Sequence, residues 1–276
     1  MRLMTDRYAV IGHPIGHSKS PFIHTAFARA TGQDLVYAAI EAPVDGFAPA
    51  VDAFRAAGGR GLNVTVPFKL DACRYATVRS PRAEMAGAAN AMRFDGERIE
   101  VENFDGIGLV RDVVHNLQQP MRGRRVLLLG AGGATRGVLL PFLEQSVAEI
   151  VIANRDLGKA QAVAALGAAH GPVRASSYTA LEGLSFDLVF NGTSASLTGE
   201  LPPVPASVFA PGALAYEMVY GKGLTPFLRL AAAAGVTQLA DGVGMLAEQA
   251  AEAFAWWRGV RPDTRAVIDA LTVPLA

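Results

Sequence analysis

The sequence predicts an α/β fold in two domains, the second with a parallel sheet. Two observations carry that prediction. Apolar runs of strand length alternate with helical patterns from end to end, and RRVLLLG (124–130) is a near-continuous apolar strand of the kind buried on both faces of a parallel sheet.

Residues 7–12 (RYAVIG) read as a first strand and HPIGHSKS as a polar loop. Ser20-Pro21 then suits a helix start, with serine as the cap and proline at the first helical position. Phe22, Ile23, Ala26, Phe27 and Ala30 mark one face, and Gly32 ends the helix. LVYAAIEA (35–42) is a second strand, and 47–57 a short helix closed by Gly58-Gly59. GLNVTVP (61–67) alternates as a strand, with Leu62, Val64 and Val66 on one face. AMRFDGERIEVENF reads as a hairpin around Asp95-Gly96.

Past Asp105-Gly106 a helix over about 107–117 leads to RRVLLLG. Strands follow at EIVIANR, FDLVFNG and ALAYEMVY, a βαβ series of Rossmann type. The last long helix, about 244–258, is strongly apolar. The domain boundary is placed near 105: residues 1–105 form the first domain, 106–241 the second, and 242–276 return to the first.

Composition removes several classes of function. The 276 residues carry 25 Lys+Arg against 25 Asp+Glu, so no net charge and no basic block is available for nucleic acid. No apolar run reaches the roughly 18 residues of a membrane span, and the first residues show no apolar signal core. A cytoplasmic protein is expected. Cys73 is alone, which excludes an internal disulfide, and His13 with His17 make a poor zinc site, so no metal is expected. Trp256-Trp257 is read as packing for the last helix.

The glycines carry more. Strand VLLLG runs into Gly130-Ala131-Gly132-Gly133-Ala134-Thr135-Arg136-Gly137. Glycine permits the tight turn and lets the backbone approach a pyrophosphate, which the next helix N-terminus then meets with free N–H groups. The sixth position of G-x-G-x-x-G is Thr135, but the strand-before, helix-after context supports a dinucleotide site. About 24 residues past Gly130 stand Asn154-Arg155-Asp156, with Lys159 one turn on. Arg155 offers a planar fork for a 2′-phosphate, so NADP is favoured over NAD; Asp156 would oppose that phosphate if it pointed inward.

The segments GHPIGHSKSPFIH (12–24), NVTVPFK (63–69), GAAN (87–90), NFDG (103–106), GAGGATRG (130–137), NGTS (191–194), MVYGKGLTPF (218–227) and DGVGMLAEQAAEAF (241–254) together resemble the shikimate dehydrogenase family, over essentially the whole chain. The resemblance implies an N-terminal α/β substrate domain and a Rossmann-type NADP domain, with reversible reduction of 3-dehydroshikimate to shikimate in aromatic amino-acid biosynthesis. It implies Lys69 and Asp105 as the catalytic pair, and Ser18, Ser20, Thr65, Asn90, Tyr220 and Gln249 as further substrate ligands. Gly130, Ala131, Gly132, Gly133, Ala134, Asn154, Arg155, Asp156 and Lys159 would hold NADP, with Met218 and Gly242 at the nicotinamide. The residue types suit that substrate: serines and a tyrosine for its carboxylate, amides for its ring hydroxyls. The family contains monomers and homodimers, and closure of an interdomain cleft is expected.

Three positions depart from the family pattern. Phe104 stands where threonine is usual and adds bulk beside Asp105; Asp156 replaces a threonine; and Ala89 and Ala91 flank Asn90. They leave a paralogue acting on quinate or a related polyol, with NAD, as the alternative. A dinucleotide-binding sensor without catalysis is disfavoured by Lys69, Asp105 and the polar set occurring together.

Overall fold

The computed structural model describes residues 5–275. Two compact units emerge: the chain through Gly108 together with Ala247–Val267, and Leu109–Leu246 together with the segment from Ile268. Each has its own six-stranded sheet.

In the first unit, β1 (Asp6–Gly12), β2 (Leu35–Glu41), β3 (Gly59–Val64), β4 (Val78–Arg79), β5 (Ala91–Asp95) and β6 (Arg98–Glu102) lie in the order β2-β1-β3-β5-β6-β4. β1 runs parallel to β2 and β3, whereas β5 is antiparallel to β3 and β6. The carboxyl ends of β1, β3 and β6 and the amino end of β5 therefore share one edge of the sheet. That edge is where the chain places its conspicuous polar residues. Ile11, Leu62, Val64, Phe68 and Met92 fill the core beneath it.

Local chemistry explains two departures from the sequence reading. The helix Ser20–Thr31 is not capped by Ser20 as expected: Lys19 holds the cap position and Ser20 is already helical. Ser18 Oγ instead accepts the Ser20 N–H at 3.3 Å, and Pro21 sits where its missing N–H costs nothing. Gly32 ends the helix with φ +64°. The strand expected over 61–67 stops at Val64, and Val66 is 67% exposed rather than on the core face. Pro67 cannot donate to a ladder, and a turn closed by the Phe68 N–H on the Thr65 carbonyl (2.9 Å) ends the strand. The turn delivers Lys69 at the start of the helix Lys69–Tyr75.

In the second unit, β7 (Arg125–Leu129), β8 (Glu149–Ala153), β9 (Val173–Ser176), β10 (Phe186–Asn191), β11 (Phe209–Glu217) and β12 (Gln238–Asp241) are all parallel, in the order β12-β11-β10-β7-β8-β9. Val126 and Leu128 of β7 enter one core while Leu127 and Leu129 enter another. Burial on both faces is why that strand is uninterruptedly apolar. The strand order reverses between β7 and β10, and at such a switch point the loops after the two strands diverge and leave a crevice.

The helix expected at about 107–117 begins at Asp105 and, after Arg111, widens into a π-helical turn over Asp112–Asn116. The Asp112 carboxylate accepts from the Tyr216 hydroxyl at 2.7 Å and from Asn116 Nδ2 at 2.9 Å. A Cβ at Gly244 would stand 1.9 Å from that carboxylate, so glycine is required there. Among the described residues no helix is long and apolar enough to cross a membrane, and no group of three or more His, Cys, Asp or Glu is placed to hold a metal ion.

Candidate functional site

The shared edge of the first sheet is built from several segments. The loop after β1 carries half-buried Ser18 and buried Ser20. Glu41, at the end of β2, fastens that loop by accepting the Ile15 N–H at 3.2 Å and lying 3.3 Å from His13 Nδ1. Sequence reading did not single Glu41 out; the only signal was a carboxylate ending an apolar strand. Thr65 follows β3, and a Cβ on Gly12 would come within 2.6 Å of its methyl group, so glycine lets the two loops meet. Also unforeseen is half-buried Tyr37 set against buried Asn63 and His24: its hydroxyl donates to Asn63 Oδ1 at 2.6 Å, and His24 stacks on its ring at 4.2 Å.

Lys69, Asp105, Asn90 and Gln249 come together at this edge. Lys69 Nζ donates to Asp105 Oδ2 at 2.5 Å. Asn90 Nδ2 donates to Asp105 Oδ1 at 2.8 Å and to Gln249 Oε1 at 3.0 Å. Asn90, Asp105 and Gln249 are buried, whereas the Lys69 side chain is 32% exposed. The aspartate is therefore a fixed acceptor for two donors, and the amine remains reachable from outside.

A further layer holds this arrangement. Asn90 Oδ1 accepts the Phe104 N–H at 2.8 Å and Asn103 Oδ1 accepts the Asp105 N–H at 3.2 Å, which satisfies the start of the helix carrying Asp105. Asn103 Nδ2 donates to the Ala88 carbonyl at 3.0 Å. Glu102 accepts from the Asn103 N–H (2.7 Å), Ser80 Oγ (2.5 Å) and Arg82 (2.6 Å). A Cβ at Gly108 would lie 2.6 Å from the Gln249 nitrogen, so this glycine admits the helix that brings Gln249. Phe104 packs into the apolar core. Its ring is buried against Ala91 and Ala253, edge-on to Trp256 at 5.7 Å between centroids, which accounts for its bulk.

In the second unit, the loop after β7 has Gly130 at φ +97°, and a Cβ there would also meet Thr193 and the Gly192 carbonyl within 3.2 Å. Gly132 and Gly133 differ: among the described residues, nothing beyond their own chain neighbours and the adjoining helix backbone lies within 4 Å of the Cβ either lacks. Nothing among the described residues demands glycine at these two positions, whereas close approach by an outside group would. The helix Gly133–Glu144 starts at that spot and turns its free N–H groups toward it. Thr135, which breaks the glycine pattern, is buried and donates to the Gly130 carbonyl at 2.8 Å, tying loop to helix. A cradle of this form fits a pyrophosphate.

At the end of β8, Arg155 and Lys159 are exposed. Asp156 caps the helix Leu157–Gly167 by accepting the Lys159 N–H at 3.2 Å, and its carbonyl accepts from Asn154 Nδ2 at 3.0 Å. One aspartate oxygen is thus committed to the cap. At Gly242 a Cβ would lie 2.3 Å from the Met218 carbonyl, so the backbone by itself already excludes a side chain there. Half-buried Met218 reaches Gly192, and Tyr220 is 38% exposed on the segment after β11.

Residues 10–92 match the family described as shikimate dehydrogenase substrate binding domain, residues 112–198 the family shikimate / quinate 5-dehydrogenase, and residues 242–272 the shikimate 5′-dehydrogenase C-terminal domain. Shikimate dehydrogenase (NADP(+)) of Chromobacterium violaceum is 56% identical over 99% of this chain and 100% of its own length. The crystal structure of an Ael1 enzyme from Pseudomonas putida superposes with a TM-score of 0.95 at 63% identity, over 98% of this chain and 100% of that one. Shikimate 5-dehydrogenase from Thermus thermophilus, solved in complex with NADP(H) and shikimate, gives 0.86 at 31% identity over 96% and 98%.

Proposed function

The chain belongs to the shikimate dehydrogenase family, and from that premise we propose that it catalyses the NADP-dependent, reversible reduction of 3-dehydroshikimate to shikimate. The observation that carries this reading is the Lys69–Asp105–Asn90–Gln249 cluster. Reducing a ketone requires a hydride on carbon and a proton on oxygen. An ammonium at Lys69 Nζ has three protons and spends one on Asp105 Oδ2, which leaves two for a substrate oxygen. Lys69 is the proton donor for the developing alkoxide, and its partial exposure lets the amine recover a proton from water. Asp105 orients Lys69 and accepts from a neighbouring ring hydroxyl, while Asn90 keeps the carboxylate from turning. Ser18, Ser20 and Tyr220 take the substrate carboxylate; Thr65 and Gln249 take ring oxygens.

NADP, when bound, supplies or removes the hydride. The chain's part is to hold it: the segment Gly130 to Ala134 against the pyrophosphate, Arg155 and Lys159 against the 2′-phosphate, Asn154 at the adenosine end, and Met218 against the nicotinamide. Gly242 serves by letting the Met218 backbone take its place.

The test is a steady-state comparison of shikimate and quinate, each with NADP and NAD. Reduced-nicotinamide absorbance is expected to grow fastest with shikimate and NADP. Turnover of quinate with NAD, and none of shikimate with NADP, would overturn the proposal.

A further inference from the structure

One buried polar cluster in the second unit has no part in the chemistry above. Glu217, the last residue of β11, is completely buried. Its Oε2 accepts from Asn191 Nδ2 at 2.9 Å, Ser196 Oγ at 2.5 Å and Thr225 Oγ1 at 3.0 Å, and its Oε1 from the Val219 N–H at 3.4 Å. These four donors are neutral, and they come from four places. Asn191 ends β10, Ser196 lies in the short helix Ala195–Thr198, Val219 follows β11, and Thr225 caps the helix Pro226–Ala233.

Two of the donors cannot be reversed. Asn191 Oδ1 is taken by the Thr193 N–H at 3.2 Å and the Thr193 hydroxyl at 2.7 Å, so its amide nitrogen must face Glu217. The Val219 N–H, a backbone amide facing the other carboxylate oxygen, can only donate. The site demands a group that only accepts, which a carboxylate is and a carboxamide is not. The loops so tied meet at Gly192, where a Cβ would lie 3.1 Å from Met218 Sδ.

We propose that Glu217 is a positioning residue, the post whose carboxylate holds the loops after β10 and β11 in one arrangement and thereby places Met218 and Tyr220. Their service to cofactor and substrate rests on the function proposed above. The post itself does not.

The experiment is hydrogen exchange on the full chain carrying Glu217→Gln, alongside NADP+ titration by protein fluorescence. Glutamine keeps the shape and turns an NH2 group on donors that cannot all accept. Exchange at 192–198 and 218–225 should rise about tenfold while β7 and β10 stay protected, and the NADP+ Kd should rise about tenfold. Glu217→Asp, which keeps the carboxylate, should fall between the two. Unchanged exchange in both loops, or uniform acceleration that includes β7 and β10, would overturn the proposal. Should Glu217→Gln not fold, Ser196→Ala removes a single donor, and unchanged exchange at 192–198 would count equally against it. Loosened loops in a protein whose wild type does not turn over shikimate would fault the proposed function and leave the post standing. An active wild type with an unaltered Glu217→Gln would do the reverse.

Discussion

Two buried polar clusters sit at carboxyl edges of their sheets, and they are built to opposite specifications. Around Asp105 the acceptor faces a charged donor, Lys69, whose side chain is a third exposed and whose remaining protons are unspent. Around Glu217 four neutral donors converge on a carboxylate with no exposed surface, and every proton is committed. Burial pushes the Glu217 carboxyl up from its ordinary pKa, and the donated hydrogen bonds pull it back. Polarity and burial therefore do not separate a reacting cluster from a supporting one. What separates them is whether hydrogen-bonding capacity is left over for a molecule from outside.

The comparison breaks most readily at Lys69. Lys69→Ala should lower kcat by about 10³-fold, roughly 4 kcal/mol of barrier, because it removes the proposed proton donor and leaves the Asn90–Asp105 contact in place. The NADP+ Kd, read by fluorescence, should stay within about twofold, since Lys69 belongs to the first unit and the glycine loop to the second. A variant with undiminished kcat would make the Asp105 cluster a support like its counterpart.

The two clusters were also unequally legible. Lys69 and Asp105 are visible in sequence because each follows a recognisable strand end within a family-like motif. Glu217 is not, because its side-chain partners lie 8 to 26 positions away and nothing local distinguishes a strand-ending glutamate that collects them from one in water. Glu41 and Asn103 were missed on the same ground. Conformational requirements behaved similarly. Gly32 and the Gly96 turn follow from local rules, whereas Gly108 and Gly242 are glycine because of backbone brought close from elsewhere in the chain. β9 and β12 escaped detection since each is only four residues long and part polar; the neighbouring strand, not their own pattern, makes them strands.

A buried titratable group extends the contrast to His24. It is 1% exposed, and neither ring nitrogen has a hydrogen bond of good geometry among the described residues, so burial lowers its pKa to about 3 against a smaller opposing pull from the nearby Asn63 side chain. Because the folded pKa lies below the unfolded value, the unfolded chain binds the extra proton first. Stability is whole above about pH 6.5 and is lost as pH falls from there toward 3. Between pH 6.5 and pH 4 the loss from this residue should be roughly 3 kcal/mol. His24→Phe keeps a ring against Tyr37 and should remove that slope, so denaturant unfolding of both proteins at pH 7, 5 and 4 isolates it. Parallel losses in the two would show that His24 finds a partner the geometry does not provide.

The smallest expected effect tests whether a capping carboxylate also tunes ligand charge. Asp156 keeps one oxygen on the Lys159 N–H, yet its full negative charge stays beside Arg155 and Lys159, where the proposed 2′-phosphate would lie. Asp156→Ser retains an acceptor for the cap and removes the charge, so unfolding free energy should move by less than about 0.5 kcal/mol. NADP+ should bind about threefold more tightly at low salt, with NAD+ unaltered and the gain fading as salt screens it. Asp156→Ala removes cap and charge together, and it should show the same gain for NADP+ with a stability loss of about 1 kcal/mol. If serine leaves NADP+ affinity unchanged while alanine still costs stability, Asp156 is a cap alone. It would then join Glu217 among residues whose charge faces inward to the fold.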